Sequence, residues 1–188
     1  FVGKLNSAKG YDIFGKAVIQ ILNKYPDWKA TVVGDEPREK LNFDHKNLKI
    51  LGFQNHKTVL NIFNKSSIAV ACSRWEEPFG RTSLEAASRG CAVIISNRGG
   101  LPETITNGII LRNLQPKTLF LAIEDLIKNN KKLHYLQSQS LKNFYLTDKF
   151  ISNKIDSYRS QLDRSYKLNF INRKKKKIKI LHITNFNE

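Results

Sequence analysis

Two glutamates near the middle of the chain are the residues best suited to chemistry. Glu77 and Glu85 are separated by seven residues in the stretch SRWEEPFGRTSLEAASRG. Thr82 stands three residues before Glu85, the spacing of a capping box, so the sequence predicts a helix that begins at Thr82. The N-terminus of such a helix offers unpaired backbone N–H groups and the positive end of a dipole, which favour a phosphate. On spacing alone an alternative stays open, in which Glu85 only caps the helix and Glu77 is a solvated loop acid.

The elements that must position these acids are indicated by hydrophobic periodicity. Short β-branched runs predict strands at 30–33, 48–51, 68–71 and 92–95, and the end of a further strand at 1–3. Apolar stripes at helical spacing predict helices around 13–22, 59–63, 82–89 and 119–127. Strands that alternate with helices are typical of parallel sheets. We therefore expect an α/β, Rossmann-like parallel sheet with helices on both faces, whose ligands bind beyond the carboxyl ends of the strands.

The chain divides by composition into three segments. We predict a Rossmann-like domain over 1–146, a sparsely apolar helix over 147–170, and a basic linker over 171–188 that contains the run Arg173–Lys177. The linker leads into the apolar segment Ile178–Thr184, which resembles the first strand of a further domain. An edge strand that completes the first domain is an equally open interpretation.

Charge and cysteine content limit the function classes. The net charge of +16 and the pI near 9.9 fit a nucleic-acid binder, an anionic membrane surface, a phosphate-bearing ligand or a solvated lysine-rich surface. Cys72 and Cys91 are too few for a disulfide framework, and no CxxC or histidine cluster suggests zinc, so we expect no metal. No apolar stretch reaches the roughly 20 residues of a membrane span and no secretory signal opens the chain, so we expect a cytoplasmic protein.

A longer stretch resembles a known family. EPFGRTSLEA, followed by RGCAVIISNRGGLPETI, resembles the E-x7-E signature of retaining glycosyltransferases of GT-B family 4. In that family the signature precedes a Gly, an apolar strand, Gly-Gly and Pro-Glu, and this chain has Gly90, residues 92–95, Gly99-Gly100 and Pro102-Glu103. The opening FVGKLNSAKGYD resembles the family's phosphate loop, VGRL…KG. The resemblance covers about residues 1–145, which makes the chain similar to the C-terminal, donor-binding half of a GT-B enzyme.

The resemblance implies a role for each matching residue. Glu77 would hydrogen-bond the donor sugar, Glu85 the ribose, and Lys9 would neutralise the leaving diphosphate. Backbone N–H groups would hold the sugar or the diphosphate at Phe79, Gly80, Arg81 and Thr82. The remaining donor contacts would be Gly3 and Lys4 in the phosphate loop and Gln54 beside the base.

One position departs from the family pattern. Lys4 stands where the family usually has Arg, which keeps the charge but loses a bidentate fork. Arg81, beside the predicted helix start, is a candidate to compensate, and a solvent-facing Arg81 is the alternative.

The resemblance also implies a function. We expect a retaining glycosyltransferase that moves a sugar from a nucleoside-diphosphate sugar to a glycan or lipid-linked acceptor in polysaccharide or lipopolysaccharide biosynthesis, without a cofactor. The acceptor domain would lie upstream, so we expect the fragment to be inactive alone, and our hypothesis is that a second transferase starts after the basic linker. The basic surface would allow peripheral contact with anionic lipid. The alternatives are a nucleic-acid-binding module, suggested by charge alone, and a GT-B relative that is an epimerase or only binds nucleotide sugar.

Overall fold

The computed structural model describes residues 1–170, so the predictions for the basic run 173–177 and the apolar segment 178–184 lie outside the described residues. The chain divides into two compact units, Phe1–Phe144 and a second that begins at Tyr145. In the first unit the helices are α1 (Tyr11–Lys24), α2 (His56–Asn64), α3 (Arg81–Ser88), α4 (Pro116–Lys128) and α5 (Asn130–Lys142), with a 3-10 turn at Leu101–Thr104. Its strands are β1 (Ala30–Val32), β2 (Leu48–Ile50), β3 (Ile68–Ala71), β4 (Ala92–Ser96) and β5 (Gly108–Leu111).

All strand pairs in the first unit are parallel, as the alternation of strands and helices predicts. β1 pairs with β2, and β3, β4 and β5 form a second sheet in that order. The segment 1–3 pairs with the free edge of β1 through a single bridge, Val2 with Val33, and in the described chain no pairing joins it to β3. The ladder is therefore divided, and residues of segment 1–3, β1 and β3 are among those that line a cavity of about 550 Å³.

Side chains alternate between the two faces of the sheet. In β4, Ala92 and Ile94 belong to one buried cluster with residues of α1 and α4. Val93 and Ile95 belong to a second buried cluster with residues of α2 and α3. Because successive strand residues point to opposite faces, the two clusters lie on opposite sides of the sheet. The predicted helices on both faces and the α/β class are thus confirmed.

The start of α3 differs from the capping-box prediction. The helix begins at Arg81, and its N-cap is Gly80, which has a left-handed backbone conformation with φ 91°. Thr82 is therefore the second helical residue and does not cap, and no side chain in the described chain supplies a cap hydrogen bond. Glycine adopts this conformation without the penalty that a side chain would bring, so Gly80 and not Thr82 ends the preceding loop. The capping-box interpretation of Glu85 is wrong.

The second unit contains α6 (Asp148–Phe170), which agrees with the sparse apolar spacing of the sequence. Its Ile151, Ile155 and Tyr158 side chains are exposed. None of the helices within residues 1–170 combines the length and the apolar character that crossing a bilayer requires.

Candidate functional site

The loop between Gly3 and α1, residues 4–10, is named the phosphate loop and is fastened by two acids that follow β1. The Asn6 amide donates to Glu36 Oε2 at 3.0 Å, and the Ser7 N–H donates to Glu39 Oε2 at 3.0 Å. The Ser7 hydroxyl also donates to Glu39. Asn6 Oδ1 in turn accepts from the Lys9 N–H at 3.0 Å. These bonds fix the backbone that carries Lys9.

The opposite side of the phosphate loop is fastened by the segment that follows β3. The carbonyl of Ala8 accepts from the N–H groups of Arg74 at 2.8 Å and Trp75 at 3.1 Å. Gly10, which precedes α1, has φ 74°, and a Cβ there would lie 2.0 Å from the carbonyl oxygen of Cys72. Since backbone cannot yield as a flexible side chain can, only glycine fits this close approach.

Lys9 and Glu77 meet where these two segments touch. Lys9 Nζ lies 2.5 Å from Glu77 Oε1, and the exposed fractions of the two side chains are 31% and 14%. The pair joins residues 68 positions apart in the chain. The structure thus brings together the two residues that the resemblance assigns to the leaving diphosphate and the donor sugar.

Two glycines lie directly against the backbone of Glu77. The Gly100 N–H donates to the carbonyl of Glu77 at 2.7 Å. A Cβ on Gly99, whose φ is 51°, would lie 2.2 Å from the same carbonyl oxygen. The Gly99 N–H also donates to Glu76 Oε2 at 2.6 Å, and Arg98 beside it lowers the pKa of Glu76. Gly99 and Gly100 therefore pack directly against the backbone of the Glu77 loop and hold it in place.

The N-terminus of α3 is open. Its first intrahelical bond runs from the Leu84 N–H to the carbonyl of Gly80 at 3.3 Å, and no side chain in the described chain caps the turn before it. Phe79, which precedes Gly80, is 40% exposed. Unpaired first-turn N–H groups beside an exposed loop can receive an anion.

Glu85 lies one turn further along α3. Its Oε1 contacts His56 Nε2 at 3.1 Å and an Arg81 guanidinium nitrogen at 3.4 Å. Both partners are largely exposed, while Glu85 itself is 20% exposed. Among the residues that the structure describes, no hydrogen bond or ion pair joins Glu85 to Glu77. The two acids therefore do not form a catalytic dyad.

Three further predicted residues make no contact with these acids. The Gly3 N–H donates to the Val33 carbonyl at 3.0 Å, which places Gly3 at the end of β1. Lys4 is exposed, and its side chain has no partner among the described residues. The Gln54 side-chain amide donates to the carbonyl of Leu51, three residues earlier in the chain, at 2.8 Å.

A cavity of about 410 Å³ adjoins the phosphate loop on the side of β2. Its walls include Leu5 of that loop, Gly34 and Asp35 after β1, and Gly52 after β2. Its volume falls in the range of small-molecule sites. The larger cavity, lined in part by β1 and β3, lies away from Lys9 and Glu77, so cavity size alone does not locate the site.

Sequence patterns did not predict the residues that fasten the site. Asp12 and Arg74 pair across 62 positions, Ser7 and Glu39 across 32, and His56 and Glu85 across 29. Contacts between residues so far apart in the chain cannot be recognised from the spacing of neighbouring residues in the sequence. Within the part of the chain that the structure describes, no three His, Cys, Asp or Glu side chains are grouped so that they could hold a metal ion.

Comparison with curated proteins gives a spore coat protein and several proteins with glycosyltransferase names. Spore coat protein SA of Bacillus subtilis is 32% identical over 157 residues, which are 74% of this chain and 42% of the relative. The lipopolysaccharide core biosynthesis mannosyltransferase LpsB of Rhizobium meliloti is 32% identical over 117 residues, 56% of this chain and 33% of the relative. The chain thus spans less than half the length of these curated relatives.

Comparison with solved structures gives the same fold. The C-terminal domain of the glycosyl transferase group 1 family protein LpcC from Francisella tularensis superimposes with a TM-score of 0.67 at 28% identity, over 76% of this chain and 80% of that one. HepE of Anabaena in complex with UDP-glucose superimposes with a TM-score of 0.70 at 22% identity, over 85% of this chain and 48% of that one. The likeness to HepE shows the fold alone.

The family comparison covers both sequence motifs. Residues 1–143 match the family Glycosyl transferases group 1, a range that contains the phosphate loop, Glu77, Glu85 and the glycine pair beneath them. Because this match spans well over half of the chain, the protein belongs to the glycosyl transferases group 1 family and has the fold of a GT-B C-terminal domain.

Proposed function

We propose that this chain is the donor-binding half of a retaining glycosyltransferase that uses a nucleoside-diphosphate sugar. One observation carries the proposal, the 2.5 Å contact between Lys9 and Glu77, which joins the two family motifs beside the open N-terminus of α3. A cation and free N–H groups suit the diphosphate of such a donor, and a carboxylate suits the hydroxyls of its sugar.

The diphosphate would lie between Lys9 and the first turn of α3. Departure of an anionic leaving group is helped by positive charge that is already in place, because no reorganisation is then needed as the bond breaks. Lys9 supplies a full charge, and the N–H groups around Gly80, Arg81 and Thr82 supply the helix dipole. Lys4 and Gly3, at the other end of the phosphate loop, would contact the same phosphates. We propose that no metal ion is required.

The sugar and the nucleoside would lie on opposite sides of the diphosphate. Glu77 would exchange its contact with Lys9 for sugar hydroxyls, and Phe79 would lie along the sugar. Glu85 would accept from the ribose hydroxyls. The base would occupy the 410 Å³ cavity that Gly52 lines, which is large enough for a small-molecule ligand, and Gln54 follows two residues later in the chain. Complexes of HepE with UDP and with UDP-glucose support a nucleotide-sugar donor for this fold.

The complete reaction needs more than this chain. The bond from the anomeric carbon to the diphosphate would break, and one to an acceptor hydroxyl would form with retained configuration. We propose that a glycan or lipid-linked acceptor binds to a second domain, so the fragment binds donor but is inactive alone. The lipopolysaccharide role in the name of LpsB supports an acceptor of this class. We further propose a cytoplasmic location, with basic side chains in contact with anionic lipid.

Nucleotide binding tests the proposal directly. We expect one of UDP, GDP and ADP to raise the melting temperature of the chain, and Glu85→Ala to weaken that effect. Asp125→Ala is the matched control, since Asp125 is also a carboxylate paired with a basic side chain, Lys132 at 2.6 Å, but lies on α4 and contacts α5. If no diphosphate stabilises the chain while it binds RNA in a salt-sensitive way, the nucleic-acid alternative replaces the proposal.

A further inference from the structure

Arg74 makes an unusual number of contacts for a loop side chain. Its NH1 donates to Asp12 Oδ1 and to the carbonyl of Ser7, each at 2.6 Å, and its NH2 donates to Asp12 Oδ2 at 2.8 Å. The pair with Asp12 is therefore bidentate, the strongest geometry for such ions. The side chains of Arg74 and Asp12 are 40% and 20% exposed. Water screens this pair only in part.

These contacts link three segments of the site. Arg74 itself lies three residues before Glu77, Asp12 lies in the first turn of α1, and Ser7 lies two residues before Lys9. The Ser7 N–H and hydroxyl are held by Glu39, and its carbonyl accepts from the Gly10 N–H within the phosphate loop and from Arg74. Arg74 thus adds a contact from outside the loop to the carbonyl side of Ser7.

We propose that Arg74, through Asp12 and the Ser7 carbonyl, is a positioning residue that holds Lys9 at the distance from Glu77 at which a diphosphate can bind. This inference rests on the proposed donor site and adds a residue to it that neither family motif contains. Without the guanidinium, the loop before Glu77 and the phosphate loop would be joined by backbone and short side-chain bonds to the Ala8 and Gly10 carbonyls and by the Lys9–Glu77 contact itself. Lys9 and Glu77 would then sample a wider range of separations, and donor binding would have to restrict that range.

The geometry argues against a direct role of Arg74 in phosphate binding. Both terminal nitrogens already donate to Asp12, and NH1 also donates to Ser7. These bonds use three of the five guanidinium N–H groups, and a phosphate that approached the other two would meet the Asp12 carboxylate paired with the same guanidinium, which would repel it. The Lys9 ammonium, in contrast, is paired with the Glu77 carboxylate, which the sugar can draw away.

Three variants of the full chain separate these roles. Asp12→Asn and Arg74→Gln each remove the bidentate pair, and Arg74→Lys keeps the charge without the fork. UDP affinity is measured by calorimetry at a temperature at which every variant is folded, and amide hydrogen exchange is measured over residues 4–10 and 73–77. Arg159→Gln is the control, because Arg159 also pairs with an aspartate, Asp156 at 3.3 Å, but lies on α6.

We expect Asp12→Asn and Arg74→Gln each to weaken UDP binding about tenfold, and the double variant to weaken it no further, since both remove one charge-assisted contact. Exchange should become faster in both segments, Arg74→Lys should recover part of the affinity, and Arg159→Gln should match wild type. Loss of affinity in Arg74→Gln without faster exchange over residues 4–10, and without a loss in Asp12→Asn, would make Arg74 a phosphate ligand and overturn the proposal. Unchanged exchange in both segments would overturn it as well. If the wild-type chain binds no UDP, GDP or ADP, the donor site itself is refuted, whereas the exchange data still decide whether Arg74 holds the two loops.

Discussion

Glu77 and Glu85 belong to one sequence motif, yet the fold holds them in different ways. Glu77 is 14% exposed, and it is held by Lys9 from the phosphate loop and by the glycine pair at its backbone. Glu85 is 20% exposed and is held by side chains that are themselves 60% and 76% exposed, His56 and Arg81. The surroundings of Glu77 are backbone and partly buried loops, whereas those of Glu85 are solvent-exposed side chains.

The difference indicates which acid depends on the fold. The position of Glu77 follows from close backbone approaches, which have few ways to relax. The position of Glu85 follows mainly from its place on α3, because exposed ion pairs contribute little free energy. Changes to the backbone around Glu77 should therefore lower the stability of the fold, whereas replacement of Glu85 itself should affect binding alone.

The largest effect is expected for Gly99→Ala. A Cβ at this position would lie 2.2 Å from the carbonyl oxygen and 2.7 Å from the nitrogen of Glu77. The loop must move, so the free energy of unfolding, measured with urea, should fall by about 3 kcal/mol or more through left-handed strain and a backbone clash. The displaced Glu77 should also lose its contact with Lys9.

Gly52→Ala is the matched control for that loss. Gly52 has φ 64°, similar to the φ of 51° at Gly99, but a Cβ there would meet nothing within 4 Å. Only the left-handed strain remains, and the free energy of unfolding should fall by about 1 kcal/mol. Equal losses in the two variants would show that the Glu77 loop does not rest on Gly99.

The second prediction compares the acids themselves in binding of the nucleoside diphosphate that best stabilises wild type. Glu85→Gln should weaken its affinity about tenfold, because a charged acceptor for the ribose hydroxyls is lost. Glu77→Gln should not weaken it, since the Glu77 carboxylate repels phosphate and competes for Lys9 in the absence of sugar. Calorimetry with each variant measures both affinities. A loss in Glu77→Gln as large as that in Glu85→Gln would contradict the division of roles.

Sequence periodicity predicted the parts of the fold whose burial is regular. β3 was predicted with its observed bounds, and β4 extends one residue beyond its prediction, because continuous apolar runs mark strands that are covered on both faces. β5 was missed, since its four residues follow a turn and only Leu111 among them is fully buried. The division of the ladder between β1 and β3 was also not predicted, because the spacing of apolar residues within a strand does not specify which strands are its neighbours.

The site was predicted only as far as its motifs reach. The resemblance selected Lys9 and Glu77, which the structure brings into contact, but roles in donor binding stay predictions. The capping box at Thr82 failed because its residue pattern also occurs where a left-handed glycine starts the helix one residue earlier. Arg74 was missed because its partners lie more than 60 positions away.

The third prediction concerns the pH dependence of stability near Glu77. Arg74 lowers the pKa of Asp12 from its ordinary 3.8, so the pair stabilises the fold above that value and loses its contribution as the pH falls below it. Asp12→Asn should therefore be less stable than wild type at pH 6, by up to about 1 kcal/mol, and the difference should shrink towards pH 3. Urea unfolding at the two pH values measures it.

Glu124 provides the comparison for this pH dependence. Its hydrogen bonds from Lys24 and Tyr25 lower its pKa from 4.5 to about 2, so its contribution is present above 4.5 and is lost only as the pH falls towards 2. The deficit of Glu124→Gln should therefore persist to a lower pH than that of Asp12→Asn. A deficit of Asp12→Asn that does not change between pH 6 and pH 3 would show that its pair with Arg74 is not what stabilises the fold.

The smallest effect is expected for His56→Ala. The imidazole is 60% exposed and contacts only one oxygen of Glu85, so its removal should change the free energy of unfolding by less than about 0.5 kcal/mol. Arg81→Ala is the matched variant, because Arg81 is the other side chain that contacts Glu85 Oε1. Urea unfolding and diphosphate calorimetry on both variants should give values close to those of wild type, because α3 itself carries Glu85 into position. A loss of affinity in His56→Ala as large as that in Glu85→Gln would instead mean that Glu85, like Glu77, depends on a partner from a distant segment.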